Sequence, residues 1–458
     1  MKKSHTIKKI LIANRGEIAV RIIRACQELG IQTIQVYSEA DRYSLPVMMA
    51  DQAVCIGPPR SKDSYLDIKK IISAALIYKA DAIHPGYGFL SENAEFAEYC
   101  EKESIIFIGP SPQSIRMMGD KATAIRLAKE SGIPITPGSN GIVEDYQAAS
   151  SIAEKIGYPV LLKATAGGGG RGMRIVQSSS ELKAAFMEAS QEAKVAFGNS
   201  ALYLEKYLKN IRHIEVQVLG DGENVLHLGE RDCSLQRRNQ KLVEESPSPV
   251  LDEAMRNKIG DAALQLCRHV NYRSAGTIEC ILDPESNQFY FMEMNTRIQV
   301  EHPVTEMVTG VDLVKEQILI AMGRGISIKQ DEVQMRGHAI ECRINAESAE
   351  DDFRPNPGRV NEYFAPGGFG VRMDTHLYSG YVVPPYYDSL LGKVICWGSN
   401  RDEAIERMNR ALMEVKIDGI ETTRVFQKNL INTSAFRSGK VHTRFVQDHF
   451  LNQSLISN

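Results

Sequence analysis

Gly276-Thr277-Ile278-Glu279-Cys280-Ile281-Leu282-Asp283, the turn cluster Pro284-Glu285-Ser286-Asn287, and Phe289-Tyr290-Phe291-Met292-Glu293-Met294-Asn295 form the stretch on which the fold is decided. Two apolar, aromatic-rich runs flank turn residues, so they read as paired antiparallel strands. Residues two apart in a strand share a face, which places Phe291, Glu293 and Asn295 together. Folding about the turn brings Glu279 within about one rung of Glu293. Two carboxylates and an amide oxygen then converge in an otherwise apolar hairpin. Such like charges repel unless a cation lies between them. Oxygen donors alone suit a hard ion, Mg2+, bridging nucleotide phosphates. The competing reading is a solvated acidic face, which the aromatic and methionine neighbours disfavour.

Next along the chain comes Thr296-Arg297-Ile298-Gln299-Val300-Glu301-His302-Pro303. If extended, it points Arg297, Gln299 and Glu301 the same way. A guanidinium and an amide suit a small oxyanion, and the carboxylate suits a general base. Upstream, the apolar run Tyr158 to Leu162 leads through Lys163 into Gly167-Gly168-Gly169-Gly170-Arg171-Gly172. Consecutive glycines let backbone N–H groups approach a polyphosphate closely. No G-K-[ST] follows, so this is not a Walker loop. The stretch Glu230 to Lys241 is dense in donors, with Gln236 and Lys241 as site candidates. Arg343, flanked by Glu341 and Glu347, is a further cation of the site. His84, in a Pro-Gly turn, reads as structural, and no Ser/His/Asp or Cys/His arrangement suggests a nucleophile.

Toward the N-terminus, strands and helices alternate. Ile10 to Ala13, Ile31 to Tyr37, Ala80 to Ile83 and Ile105 to Ile108 read as strands, and Glu17 to Leu29 has a helical apolar period stopped by Gly30. That order predicts a parallel sheet covered by helices. Asn14-Arg15-Gly16-Glu17 replaces G-x-G-x-x-G after the first strand, so a dinucleotide site is not expected there. From 338 to 400, short β-like runs alternate with Pro-Gly turns, and 401 to 413 is helical again. The fold class is therefore α/β, with an N-terminal Rossmann-like lobe at 1–118, a central region at 119–330 and a β-rich C-terminal region at 331–450.

The chain has 458 residues and a formal net charge of −3, with 43% hydrophobic and 24% charged residues. This is a soluble globular composition with no global field to attract nucleic acid or an anionic membrane. The eight cysteines form no CxxC pair, which fits reduced thiols in a cytoplasmic protein. No apolar run is long enough for a signal or a transmembrane helix.

Several strings together are similar to biotin carboxylases of the ATP-grasp superfamily. They are Ile12 to Ala19, His84 to Asn93, the glycine loop, Glu230 to Lys241, Phe291 to Val304, and Pro384-Pro385-Tyr386-Tyr387-Asp388-Ser389. The resemblance spans about residues 7 to 445. It implies an ATP-grasp fold with a mobile lid, about residues 136 to 206, and carboxylation of biotin by ATP and bicarbonate through carboxyphosphate. It further implies that Lys121, Lys163, Gly169 and Gly170 bind phosphates and that Glu205, Lys206 and Leu208 line the adenine pocket. His213 would lie near the ribose, with Gln236 and Asn239 also at the nucleotide. Glu279, Glu293 and Asn295 would hold Mg2+ or Mn2+, with Glu279 and Glu293 also counted as ATP-binding. Lys241, Arg297, Gln299 and Val300 would hold bicarbonate. Glu301 would be the base, and Arg343, with Tyr87, would meet biotin, the arginine stabilising its enolate. Many family members carry histidine where this chain has Asn239, which puts that nucleotide contact in question. With no Met-Lys-Met attachment signal, biotin is expected on a separate carrier protein, with separate carboxyltransferase subunits finishing the reaction. A homodimer is also implied, with Arg21, Arg24 and Glu28 at the contact or simply on a solvated helix face. The rival readings are another ATP-grasp ligase joining a carboxylate to an amine, and a nucleotide-binding regulatory subunit without turnover.

Overall fold

The computed structural model describes residues 5–139, 141–164 and 173–451. The glycine loop, with Gly169 and Gly170, lies outside the described residues.

The N-terminal region is a five-stranded parallel sheet. Its spatial order is Gln52–Gly57, Gln32–Ser38, Lys9–Ile12, Ala82–His84, Ile106–Phe107. The strand Gln52–Gly57 was not foreseen from the sequence. Five of its six residues are only partly buried or exposed at the sheet edge, and its apolar run, Ala53 to Ile56, is only four residues long. Helix Gly16–Glu28 follows the first strand and buries Ile18, Ile22 and Cys26, the periodic residues of the sequence. Gly30 ends it with φ +69°, a left-handed conformation natural to glycine. The chain order in the sheet reverses between Lys9–Ile12 and Ala82–His84, and ligands of open α/β sheets bind outside such a switch point. There Asn14 donates to the carbonyls of Pro85 and Tyr87, both at 2.7 Å, and so fixes the turn carrying Tyr87. His84 beneath it is buried, and its Nδ1 accepts from the Gly86 N–H at 3.1 Å, the structural role expected.

The centre is an eight-stranded antiparallel sheet. Its order is Gln288–Asn295, Arg273–Asp283, Arg212–Asp221, Val225–Arg237, Gln240–Ser246, His338–Asn345, Leu390–Gly398, Val371–Thr375. The strand Gln240–Ser246 pairs directly with His338–Asn345, so one ladder runs from the central region into the C-terminal one. A separate three-stranded sheet, Met173–Val176, Val160–Ala164 and Leu202–Lys206, carries the helices Tyr146–Ile156 and Ser179–Phe197 around its own apolar cluster. Among the described residues no helix is long and apolar enough to cross a membrane.

The hairpin of the opening stretch forms as expected, and Glu279 stands directly opposite Glu293. A β-bulge follows, because Cys280 pairs with Phe291 and leaves Met292 without an opposite residue. The extra residue flips the alternation. Phe291 is buried with Met294, Ile278 and Cys280 in the core, not on the face of Glu293 and Asn295 as simple period-2 reading predicts.

Candidate active site

One transverse rung of the central sheet sets the electrostatics. Glu293, Glu279, Glu215 and Arg231 are successive cross-strand partners on four adjacent strands. Like charges directly opposed in a sheet destabilise it unless cations intervene. Two cations do. Arg231, fully buried, donates through Nε to Glu215 at 2.5 Å and through Nη1 to Gln217 and Thr305 at 2.7 and 2.9 Å. Lys241, on the neighbouring strand, places its ammonium 2.6 Å from Glu215, 3.0 Å from Glu279 and 2.6 Å from Glu301. Burial alone would lower the pKa of Lys241, but the three carboxylates reverse this and raise it well above the usual lysine range.

Glu301 is reached from the other side. After Asn295 the chain is not extended, as the sequence reading required. It bends through Thr296 to Val300 and enters helix His302–Thr309, with Glu301 at its N-cap position. The bend still gathers the set. Arg297 Nη1 donates to Gln299 at 2.6 Å, Gln299 donates to Glu279 at 2.9 Å, and Arg297 Nη2 donates to Asn295 at 3.1 Å. Arg343 donates to the second oxygen of Glu301 at 2.9 Å and to Glu244 at 2.6 Å. Burial would raise the Glu301 carboxyl, yet Lys241, Arg343 and Arg231 hold it well below the usual carboxylate range. The Val300 carbonyl accepts from the buried Lys393 at 2.7 Å, and Lys393 is 2.9 Å from Glu17, which also accepts from the Tyr87 hydroxyl. Tyr87 is thus tied to the bend that carries Val300 and Glu301.

The hairpin acids also fit a hard cation. Glu293 is exposed, yet enough protein surrounds it that burial, aided by Glu279, raises its carboxyl above the usual range. A carboxylate so crowded is relieved by a divalent ion, and Glu279, Glu293 and Asn295 offer oxygen donors for one. His213 lies in the same cluster, its Nε2 3.0 Å from Glu279 and its Nδ1 2.9 Å from the Gln236 amide.

Two of the remaining nucleotide candidates meet at one aromatic ring. The Lys121 and Lys163 ammonium groups lie 5.8 and 5.7 Å from the ring centre of Tyr203, and Lys163 is paired with Glu205. The Lys206 ammonium is held by the carbonyls of Gly157 and Tyr158, both at 3.1 Å. Its side chain is therefore committed to the three-stranded unit, and Leu208 follows half-buried just beyond that strand. Asn239 is exposed. It forms, with Arg238, the two-residue turn between Val225–Arg237 and Gln240–Ser246, with φ 49° and 65° at Arg238 and Asn239. Both residues in the left-handed region mark a type I′ turn, and asparagine tolerates that conformation well. Turn geometry accounts for the residue without a nucleotide.

Sequence reading missed Glu215, Arg231, Glu244, Lys393 and Glu92, the last of which accepts from Arg297 at 2.9 Å. Glu215 carried a signal: His213-Ile214-Glu215-Val216-Gln217 alternates polar and apolar residues, a strand with one polar face.

Residues 6–115 match the family model for the biotin carboxylase N-terminal domain, 120–329 the ATP-binding domain of the carbamoyl-phosphate synthase L chain, and 341–448 the biotin carboxylase C-terminal domain. The chain is 59% identical to a biotin carboxylase of Nostoc sp., over 96% of this chain and 98% of that one. The chain belongs to the biotin carboxylase family. Biotin carboxylase 1 of Bacillus subtilis is 57% identical, over 97% of this chain and 99% of its own. Among solved structures, a biotin carboxylase–nucleotide complex of Campylobacter jejuni matches with TM-score 0.91 at 48% identity, covering 97% of this chain and 99% of that one. The biotin carboxylase domain dimer of Hydrogenobacter thermophilus 2-oxoglutarate carboxylase, bound to MgADP and bicarbonate, matches with TM-score 0.90 at 50% identity, covering 97% and 98%. The fold is that of biotin carboxylase ATP-grasp structures, and the chain is an ATP-dependent ligase that carboxylates biotin with bicarbonate.

Proposed function

We propose that Lys241, Arg297, Gln299 and Val300 hold bicarbonate, that Glu301 is the general base, and that Arg343 and Tyr87 receive biotin. The observation that carries this is the sharing of Glu301 between two cations, Lys241 at 2.6 Å and Arg343 at 2.9 Å. So held, Glu301 stays ionised at any working pH but is a weak proton acceptor. Bicarbonate draws on Lys241, and the biotin oxygen draws on Arg343. Each substrate loosens one hold on Glu301, so its proton affinity rises when both are present. Phosphorylation by ATP turns bicarbonate into the better electrophile carboxyphosphate, next to biotin. Lys121, Lys163, Gly169, Gly170, Glu205, Lys206, Leu208, His213, Gln236 and Asn239 are assigned to the nucleotide. Glu279, Glu293 and Asn295 are assigned to Mg2+ or Mn2+, which when bound neutralises charge on the transferring phosphoryl group. The Lys206 side chain is engaged elsewhere, so its part falls to the backbone.

We assign the three regions to 1–118, 119–330 and 331–450, with residues 136–206 as a lid whose separate sheet and core let it move as a body. Biotin is assigned to a carrier protein, and carboxyltransferase subunits to the second half-reaction. In Rhizobium etli pyruvate carboxylase the region matched by this chain is 40% of a longer polypeptide, which supports work beside such partners. A homodimer is supported by the dimeric Hydrogenobacter neighbour. At the expected contact Arg21 is buried on Glu306 and Asp312, at 2.9 and 2.5 Å, which leaves Arg24 and Glu28 as the exposed candidates.

The test is ADP release from ATP, Mg2+ and bicarbonate, with and without free biotin. Turnover is expected to rise with biotin. It should fall by about 10²–10⁴-fold in Glu301→Ala, the range of a lost general base, and about 10²-fold in Arg343→Ala, as for a lost oxyanion donor. Turnover indifferent to both biotin and bicarbonate would overturn the assignment.

A further inference from the structure

Behind Arg343 lies an acid pair that this reaction scheme leaves unused. Glu244 and Glu341 are direct cross-strand partners in the ladder between Gln240–Ser246 and His338–Asn345, and both are fully buried. Their surroundings are unequal. Glu244 Oε1 accepts from Arg343 at 2.6 Å, while its Oε2 and both oxygens of Glu341 have no hydrogen-bond partner among the described residues. A buried carboxylate anion without a donor is strongly unfavourable, and two opposed anions more so. The groups facing Glu341 are Lys393 from the strand Leu390–Gly398, Glu244, Arg343 on its own strand, and Glu301. Those facing Glu244 are Arg343, Glu301 and Lys241. Lys393 already serves Glu17 and the Val300 carbonyl. Four acids, Glu17, Glu244, Glu301 and Glu341, thus share Lys393, Arg343 and part of Lys241. Burial raises Glu244 to about 7 and Glu341 well above the usual range, the first against the pull of Arg343 and the second against that of Lys393.

We propose that Glu244 and Glu341 share a single proton, which passes from Glu341 to Glu244 when Arg343 engages biotin. At rest the proton sits on Glu341, and Glu244 is the anion paired with Arg343. Negative charge developing on the biotin ureido oxygen then competes with Glu244 for the same guanidinium. Transfer breaks the O–H bond of Glu341 and forms one on the free Oε2 of Glu244. Net charge is unchanged, and the anion now lies on Glu341, on the side of Lys393. Directly opposed residues have Cβ atoms about 5 Å apart, and Glu244 is among the charges that act on Glu341. Glu244 and Glu341 are positioning residues, since they act on biotin through Arg343. The coupling rests on the assignment of Arg343 to biotin, and the shared proton does not.

The experiment is difference infrared spectroscopy of the full chain at neutral pH, on wild type, Glu341→Gln and Glu244→Gln. The wild type should show a protonated-carboxyl band that Glu341→Gln removes. Adding biotin, bicarbonate and a non-hydrolysable ATP analogue should shift the band, and Glu244→Gln should abolish the shift. In kinetics, Glu341→Gln should lower biotin-dependent kcat about tenfold, one pK unit of electrostatic work, with KM for ATP unmoved. Absence of the band in wild type would overturn the shared proton. A band present while Arg343→Ala keeps full biotin turnover would overturn the coupling alone, through its assignment of Arg343. Should Glu341→Gln fail to fold, the neutral isostere would not suffice at that position, and the proton on Glu341 would be overturned.

Discussion

Lys241 is one ammonium among Glu215, Glu279 and Glu301. Removing one partner of a buried charge cluster costs about 3–5 kcal/mol, because the remaining charges stay desolvated. Lys241→Met should therefore lose about that much stability. The pH dependence fixes the sign. In the wild type, Glu301 and Glu279 are held below the ordinary carboxylate value. Their contribution is fully present above that value and is lost as pH falls through the depressed range. Without Lys241 the Glu279 and Glu301 carboxyls lose the largest charge that lowers them and rise, so the cost of keeping them ionised in a buried site grows as pH rises. Urea midpoints at pH 5 and pH 8 should show the larger deficit at pH 8. An equal deficit at both would mean that the carboxylates do not depend on Lys241.

At the scale of elements, the type I′ turn at Arg238–Asn239 and the bulge at Met292 show what the sequence could convey. The hairpin, the opposed pair of Glu279 and Glu293, and the cation and acid of the following segment were legible, because residue type and period-2 spacing carry them. The bulge was not, because one unpaired residue has no local signature, and it moved Phe291 into the core. Nor was the bend after Asn295 readable. Arg297, Gln299 and Glu301 converge through hydrogen bonds to Asn295, Glu279 and Lys241, partners fixed by the tertiary fold. Glu244 and Lys393 were missed for the same reason, since their roles come from strands far away in sequence. The resemblance placed Asn239 at the nucleotide and left that contact in question; its backbone conformation gives it a local duty in the turn as well. Asn239→Val should destabilise the hairpin by about 1–2 kcal/mol, the penalty of a β-branched residue in the left-handed region. Asn239→Gly should leave thermal stability near the wild-type value. A melting temperature unchanged in Asn239→Val would show that the turn does not depend on that residue.

Over the whole molecule, the N-terminal lobe is clamped to a distant loop. Arg15 donates to Asp41 at 2.7 and 2.9 Å, Tyr65 donates to the same carboxylate at 2.6 Å, and the guanidinium lies 4.2 Å over the ring of Tyr387. Tyr387 in turn donates to the Pro59 carbonyl at 2.6 Å. Asp41→Asn would leave a buried guanidinium without its counter-ion, an expected loss of about 3 kcal/mol or more. Denaturant unfolding followed at two probes, one in each lobe, should show the transition shifted at both. A shift confined to the N-terminal probe would mean that the clamp does not couple the lobes.

The continuous central sheet has a further consequence, for exchange between homologues. Segments 136–206 close on their own three strands and core. They can be swapped between relatives as a cassette, with only the flanking joints to match. Residues 331–450 cannot be exchanged so freely. Their first strand is half of the ladder from Val243↔Cys342 to Ser246↔Ala339, and it includes the Glu244–Glu341 rung. A graft there must bring complementary residues on both sides of the seam, so the two strands have to be exchanged as one unit.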